Sequence, residues 1–378
     1  MRIADLRGFG LSSPFGGRKM LGHAKNLKSV GLVEVVLQGG TTGLGETYAG
    51  VYAPELIAPA VEFFKPLLVG ADAADPEALR RRLEGVPFIG RNGLLASVAS
   101  AVDIALWDAA GKAKGVPVWK LLNPKARGKV RLYASGGSVV MTPSEVARDA
   151  AEARDAGYAG FKMRVGRQGW PADLRRVEAA RRALGDRALM VDAIMGTLSP
   201  AWDWKTARAR AKDLVRFRPV WLEEPLHPSD LEGHRRLAKS CPVPLAAGEA
   251  LSGRFEFARY LEARVLDWVQ PDATHSGGLT AAKQFASDAR RAGAKVALHV
   301  WGGAAAIAAN AHLAFACPEV EWLEMPMLSL DLTPRMLTAP LDIRDGWLHA
   351  PSEPGLGVRL DEATRRKYKL EAGSGYRI

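Results

Sequence analysis

The sequence predicts an α/β protein in which a smaller α+β domain precedes a parallel (β/α) barrel. From Val130 onward a short apolar run recurs roughly every 22 to 33 residues, each followed by a helical stretch. Eight such runs are present, the strand number of a closed parallel barrel. Before Val130 the order differs: strand-like segments come first and helical ones after, the pattern of a separate α+β unit.

Taken in order, Leu32 to Gln38 (LVEVVLQ) is dense in Val and Leu, Gly39-Gly40 supplies a turn, and TTGLGE (41–46) resumes as a second strand. That reads as a hairpin. Helical stretches follow over 55–69 and 76–85. A long apolar stretch, Leu94 to Lys114, stops at Gly115 with Pro117 just beyond, the punctuation of a helix C-terminus. The eight barrel runs are VRLYAS (130–135), GFKMRVG (160–166), LMVDAI (189–194), VWLEEP (220–225), PLAAGEA (244–250), DWVQPDA (267–273), KVALHV (295–300) and EWLEMP (321–326). An open doubly wound sheet is the competing arrangement, but no glycine-rich phosphate-binding turn follows the first run. Gly346 to Leu360 loses the alternation and is expected to return to the first domain. The small domain would then comprise 1–129 with 346–378, and the barrel 130–345.

With 378 residues, 48% of them hydrophobic and 25% charged, the chain can fill a barrel and a further domain. The formal charge of +11 attracts anions at long range but does not bear on fold. Basic residues are densest over 79–85 and 173–187. In the second run Leu174, Val177 and Leu184 recur at helical spacing, with Arg175, Arg176, Arg181 and Arg182 between them, as on a solvated helix face over a core. No aromatic residues interleave with these arginines, so no nucleic-acid partner is expected. Two cysteines, Cys241 and Cys317, cannot build a disulfide framework. The opening MRIADLRGFG lacks a signal-peptide core, and the best membrane candidate, Ala304 to Phe315, is broken by Asn310 and His312. A cytoplasmic protein with no membrane partner is expected.

Each barrel run from the second onward ends in an ionisable residue: Lys162 with Arg164, Asp192, Glu223 with Glu224, Glu249, Asp272, His299 and Glu324. In a barrel these groups converge on the C-terminal mouth, where such folds carry their sites. Asp192, Glu223 and Glu249 on neighbouring strands would repel one another unless a cation lay between them. Oxygen-only ligation favours a hard divalent ion, and Mg²⁺ fits best. Asp272, one strand from His299, can hold one ring nitrogen and make the imidazole a stronger base. His23, His227, His234, His312 and His349 read as core or surface residues, and His275 is open to either reading.

The order K-x-R, D, E-E-P, G-E, Q-P-D, H-x-W-G and W-L-E resembles the enolase superfamily, in its mandelate racemase/muconate lactonizing enzyme branch, mandelate racemase-like subgroup. GTTGLGET (40–47), AVDIALWDAAGKAKGVPVWKLL (101–122) and EPGLGVRLDE (353–362) resemble that family's capping-domain and tail signatures. The resemblance covers nearly the whole chain. It implies a (β/α)₇β TIM-type barrel under an N-terminal α+β capping domain, and one catalytic Mg²⁺ on Asp192, Glu223 and Glu249. It further implies a His299–Asp272 base dyad, with Glu324 at the substrate carboxylate, and a homo-oligomer.

Where the family commonly reads K-x-K, this chain has Lys162-Met163-Arg164. A guanidinium stays protonated, so Arg164 suits a carboxylate or enediolate and makes a poor base. One base favours dehydration of a sugar acid (aldonate or aldarate) to a 2-keto-3-deoxy acid. The alternative is a racemase/epimerase or a lactone cycloisomerase using the same enediolate. Relatives often carry Asn where Ile194 stands. Specificity is expected from the cap loops Ser12 to Asn26, with Arg18, Lys19 and His23, and Thr47 to Pro54, with Tyr48 and Tyr52; these residues either bind hydroxyls and a distal carboxylate or belong to a solvated flexible loop. Trp301 either lines the pocket or belongs to the core.

Overall fold

The computed structural model describes residues 1–84 and 92–377. The chain opens with an antiparallel sheet of β1 (Ile3–Pro14), β2 (Leu27–Leu37) and β3 (Thr42–Thr47). The expected hairpin is β2–β3, with Val36 opposite Thr42. The first strand, β1, was not anticipated; it pairs along its length with β2, from Ile3 opposite Leu37 to Pro14 opposite Leu27. Its glycines and serines lack the Val/Ile density that marks a strand.

Helices Ile57–Leu68 and Pro76–Glu84 follow, Gly85 of the expected 76–85 stretch lying outside the described residues. The helix Gly93–Lys114 then packs across β3. The TGLG run makes that close packing possible: a Cβ on Gly43 or Gly45 would sit 2.0 Å from the carbonyl oxygen of Ala105 or Ala101. Gly115 ends the helix in the left-handed region at φ 67°, its N–H donating to Gly111 and Lys112. This helix, not Ala304–Ala316, is the one long and apolar enough to cross a membrane among the described residues. Since 83% of its most apolar stretch is buried, it serves as the core of the cap.

The barrel strands are β4 (Lys129–Ser135), β5 (Gly160–Arg164), β6 (Ala188–Asp192), β7 (Leu222–Glu223), β8 (Leu245–Ala247), β9 (Trp268–Val269), β10 (Lys295–Leu298) and β11 (Val320–Pro326). Each pairs in parallel with the next, and β11 closes on β4, Glu324 opposite Tyr133. Local signals set the helix starts between them. Thr142 forms a capping box with Glu145 ahead of Pro143–Asp155, and Asp203 and Asp230 cap Trp204–Leu214 and Leu231–Ala238. Tyr133, Trp221, Trp268 and Trp322 fill the barrel interior, with the Trp221 and Trp268 rings 5.2 Å apart.

The expected solvated arginine face holds for Arg175 and Arg182 but fails at Arg176. That side chain is wholly buried, pairs with Asp173 at 2.8 Å and donates to the carbonyls of Gly137, Ser138, Met141 and Arg164. It ties down the loop that follows β4. The tail 346–378 also divides. β13 (Trp347–His349), hairpinned with β12 (Ile343–Arg344), pairs antiparallel with β4, whereas Ser12 N–H donates to Tyr368 and Tyr376 N–H to Val51 on the cap.

Candidate active site

Asp192 and Glu223 are the last residues of β6 and β7, and Glu249 lies just past β8, beyond Gly248. One carboxylate oxygen from each lies within 4.8 Å of the other two. Asp192 Oδ1 accepts from Ile194 N–H at 2.8 Å, with Ile194 itself held at φ 46°, a strained conformation for a β-branched residue. Glu223 Oε2 accepts from Trp221 Nε1 and Gln270 Nε2, both at 2.8 Å, and Lys162 Nζ lies 2.5 Å from Oε1. Burial and the neighbouring Glu223 push the Asp192 pKa well above the usual carboxylate range, and burial raises Glu249 also. Three hard-oxygen donors crowded this closely, Asp192 and Glu223 buried and Glu249 half-buried, fit a hard divalent cation.

Facing them, His299 follows β10. Its Nδ1 is 2.9 Å from Asp272 Oδ2 and its Nε2 3.3 Å from Glu249 Oε2. Asp272 Oδ1 accepts from Thr274 N–H, Thr274 Oγ1 and Asn310 Nδ2, so the carboxylate that orients the ring is itself fixed. Burial lowers the His299 pKa, but Glu249, Glu324 and the Asp272 hydrogen bond outweigh it and raise it to about 9. Glu324 Oε2 accepts from Tyr133 Oη and Val300 N–H, each at 3.2 Å. Burial raises its pKa, but Lys162, His299 and Arg164 bring it down to about 2.

Lys162 is fully buried, 3.1 Å from Glu324 Oε1 and 3.9 Å from Asp192 Oδ2. Burial disfavours its charge, yet the surrounding carboxylates raise its pKa above the ordinary lysine value. Arg164 donates to the Gly136 carbonyl and Ser135 Oγ, both at 3.2 Å, and stacks 4.9 Å from the Trp301 ring.

All eight ionisable residues singled out in the sequence for catalysis or metal binding therefore meet at one mouth. Trp301 is both buried and a wall of the cavity there. The supporting residues Trp221, Tyr133, Thr274 and Asn310 were missed, although Trp221 lies two residues before Glu223 and so shares its inward face. The cap supplies more. Glu46 on β3 accepts from Gly303 N–H at 2.5 Å and Ala306 N–H at 3.0 Å, capping the helix Ala304–Ala316 behind His299. Lys28 on β2, fully buried, donates to the Trp301 carbonyl at 2.9 Å. Of the loop residues, Tyr48 and Tyr52 line the cavity, whereas Arg18 pairs with Asp149 and Glu152 at a small adjoining pocket and Lys19 pairs with Glu145.

A capped parallel barrel with this mouth defines an enzyme of the enolase superfamily. The description "Mandelate racemase / muconate lactonizing enzyme, N-terminal domain" matches residues 17–123, and "Enolase C-terminal domain-like" matches residues 145–364. The chain belongs to the mandelate racemase/muconate lactonizing enzyme family. It is 32% identical over 373 residues to L-talarate/galactarate dehydratase of Salmonella typhimurium, covering 97% of this chain and 90% of that protein. It is also 32% identical over 354 residues to D-galactarolactone cycloisomerase of Agrobacterium fabrum, covering 90% and 91%. Among solved structures, a racemase from Streptomyces coelicolor A3(2) with bound magnesium superposes at a TM-score of 0.85, with 28% identity, covering 97% and 100%.

Proposed function

We propose that this enzyme removes the proton α to the carboxylate of a sugar acid, through an enediolate, and expels a β-hydroxyl to give a 2-keto-3-deoxy acid. The observation that carries this reading is the asymmetry of the cavity. Among the described residues lining it, His299 is the one base available on neutralisation, and Arg164 stands as a permanent cation. Lys162, held charged by three carboxylates, makes a poor second base. The Tyr48 and Tyr52 hydroxyls are pushed above their ordinary pKa by burial. Racemisation needs a proton acceptor on each face, whereas elimination works with one.

In this reading Asp192, Glu223 and Glu249 hold Mg²⁺, as the magnesium bound in the Streptomyces racemase supports. When bound, the ion supplies Lewis-acid stabilisation of charge on the substrate carboxylate. Neutral His299, oriented by Asp272 through Nδ1, takes the α proton on Nε2. The C–H electron pair moves into the carboxylate to form the enediolate, and Lys162 and Arg164 offset its negative charge. The β C–O bond then breaks, and the departing oxygen takes the proton back from Nε2 and leaves as water. The enol that remains collects a proton at C3 and becomes the keto acid. Glu324, kept ionised by Lys162, fixes that lysine at the substrate carboxylate and sits 4.0 Å from His299 Nε2.

Incubating the magnesium-loaded enzyme with aldonic and aldaric acids in D₂O tests this by proton NMR. Dehydration gives a 2-keto-3-deoxy product. Deuterium exchange at the α carbon without loss of water would instead select racemisation or epimerisation. The cycloisomerase alternative predicts interconversion with a lactone.

A further inference from the structure

We infer that the acid accepted at this site is a monocarboxylate, an aldonate rather than an aldarate, whose uncharged far end packs against Tyr376. This rests on the sugar-acid reading above and deepens it.

The first ground is where the positive charge goes. Lys162 and Arg164 both lie at the carboxylate end, beside Asp192 and Glu324. The loop 15–26 carries further cations, but each is paired with a carboxylate or neutral, Arg18 bordering only the small pocket that adjoins the cavity along Met20, Ser138, Arg164 and Trp301. Arg18 pairs with the buried Asp149 and with Glu152, and Lys19 lies 2.8 Å from Glu145, all three carboxylates being on Pro143–Asp155. Lys25 pairs with Glu371. His23 sits among the rings of Phe15, Tyr376 and Trp301, and burial with the nearby Lys28 charge brings its pKa down to about 3, so it is neutral. Arg167, whose charge reaches Tyr376, is exposed and does not line the cavity. Among the described residues, then, no cation other than Arg164 lines it.

The second ground is what closes the far end. Met20, Leu21, Tyr52 and Tyr376 give the cavity an apolar and aromatic wall, with Ser138 and Thr197 as neutral polar groups. Tyr376 comes from the C-terminal tail and is firmly seated. Its N–H donates to Val51 at 2.7 Å, the next N–H to Gly22 at 2.9 Å, and Ser374 Oγ meets Ser12 and Ser29. Gly375 lets the tail pass, since a Cβ there would lie 2.4 Å from the Tyr52 carbonyl. The Tyr52 and Tyr376 rings meet edge to face at 5.4 Å. Such a wall suits the C–H face and hydroxyls of a sugar chain. A second carboxylate placed there would lose water without gaining a counter-ion.

The test measures binding apart from turnover. Magnesium-loaded His299→Asn protein is titrated by calorimetry with matched acids, galactonate against galactarate and gluconate against glucarate. In each pair that binds, the aldonate is expected to bind more tightly, on the order of 100-fold. Tyr376→Ala in the same background should weaken aldonate binding by roughly tenfold and shrink that ratio. Equal or tighter binding of the aldarates, no binding of either aldonate, or a ratio unmoved by Tyr376→Ala overturns the inference. The wild-type enzyme, assayed in parallel for α-proton exchange in D₂O, reads the broader function separately. Exchange that is as fast with aldarates refutes the monocarboxylate assignment and leaves the dehydratase reading intact. Aldonate-selective binding without exchange does the reverse.

Discussion

Lys162 on β5 of the barrel and Lys28 on β2 of the cap are both fully buried, yet they hold their protons in opposite ways. Burial disfavours the charge of each. Around Lys162 the carboxylates of Glu223, Glu324 and Asp192 overcome that cost and raise its pKa. Lys28 faces the Trp301 carbonyl and lies 3.8 Å from the centre of its ring; burial dominates there, and its pKa falls to about 7. The barrel mouth is a shell of mutually dependent charges, whereas the cap acts on the same cavity through hydrogen bonds and fit. Perturbing the two regions should therefore have different signatures.

The largest expected effect is on the barrel side. His299→Asn should reduce α-proton exchange by at least about 10³-fold while leaving the melting temperature near that of wild type. Retained exchange would place the base elsewhere. Next comes the acidic triad. In metal-free protein Asp192→Asn relieves repulsion and should hold or raise the melting temperature. Magnesium at 100 times its Kd should stabilise wild type by about 2.7 kcal/mol and this variant far less, as thermal melts with and without the ion will show.

On the cap side, Glu46→Ala leaves the N–H groups of Gly303 and Ala306 bare and should cost about 2 kcal/mol in urea unfolding. Glu46→Gln keeps one acceptor and should cost less. Lys28→Met removes the hold on the Trp301 carbonyl; a roughly tenfold loss in kcat with KM little changed would mark it as a positioning residue for the His299 segment. The smallest effect is a displacement along pH. His299 must be neutral to act, so kcat/KM should rise with pH and level off above its pKa. That pKa is about 9 beside a charged Glu249, and a cation on Glu249 lowers it, so the rise belongs between 6.5 and 9. A limb above 9 would mean that Glu249 keeps its full charge against the imidazole.

The same division explains what could be read beforehand. Strand ends of a barrel are periodic, so Asp192, Glu223, Glu249, Asp272 and His299 declared themselves by spacing. Their supports did not, although a local rule was there to be used for Trp221, two residues before Glu223 and so on the same inward side. Asn310 reaches Asp272 from a helix one unit on, and no pattern announces that contact. Arg176 looked like a surface arginine because three of its four carbonyl partners, Gly137, Ser138 and Met141, belong to a loop without regular structure. The cap loops were least legible: the charges on Arg18 and Lys19 suggested a second anion site, and only the fold shows them spent on Pro143–Asp155.

Glu46 caps a helix that begins more than 250 positions further along the chain. During synthesis the cap sheet emerges from the ribosome well before that helix exists, and domains generally fold as they appear. The helix Ala304–Ala316 and the closing strand β11 would then meet a docking partner that is already formed. Translation order itself favours assembling the mouth last, once both of its walls are available.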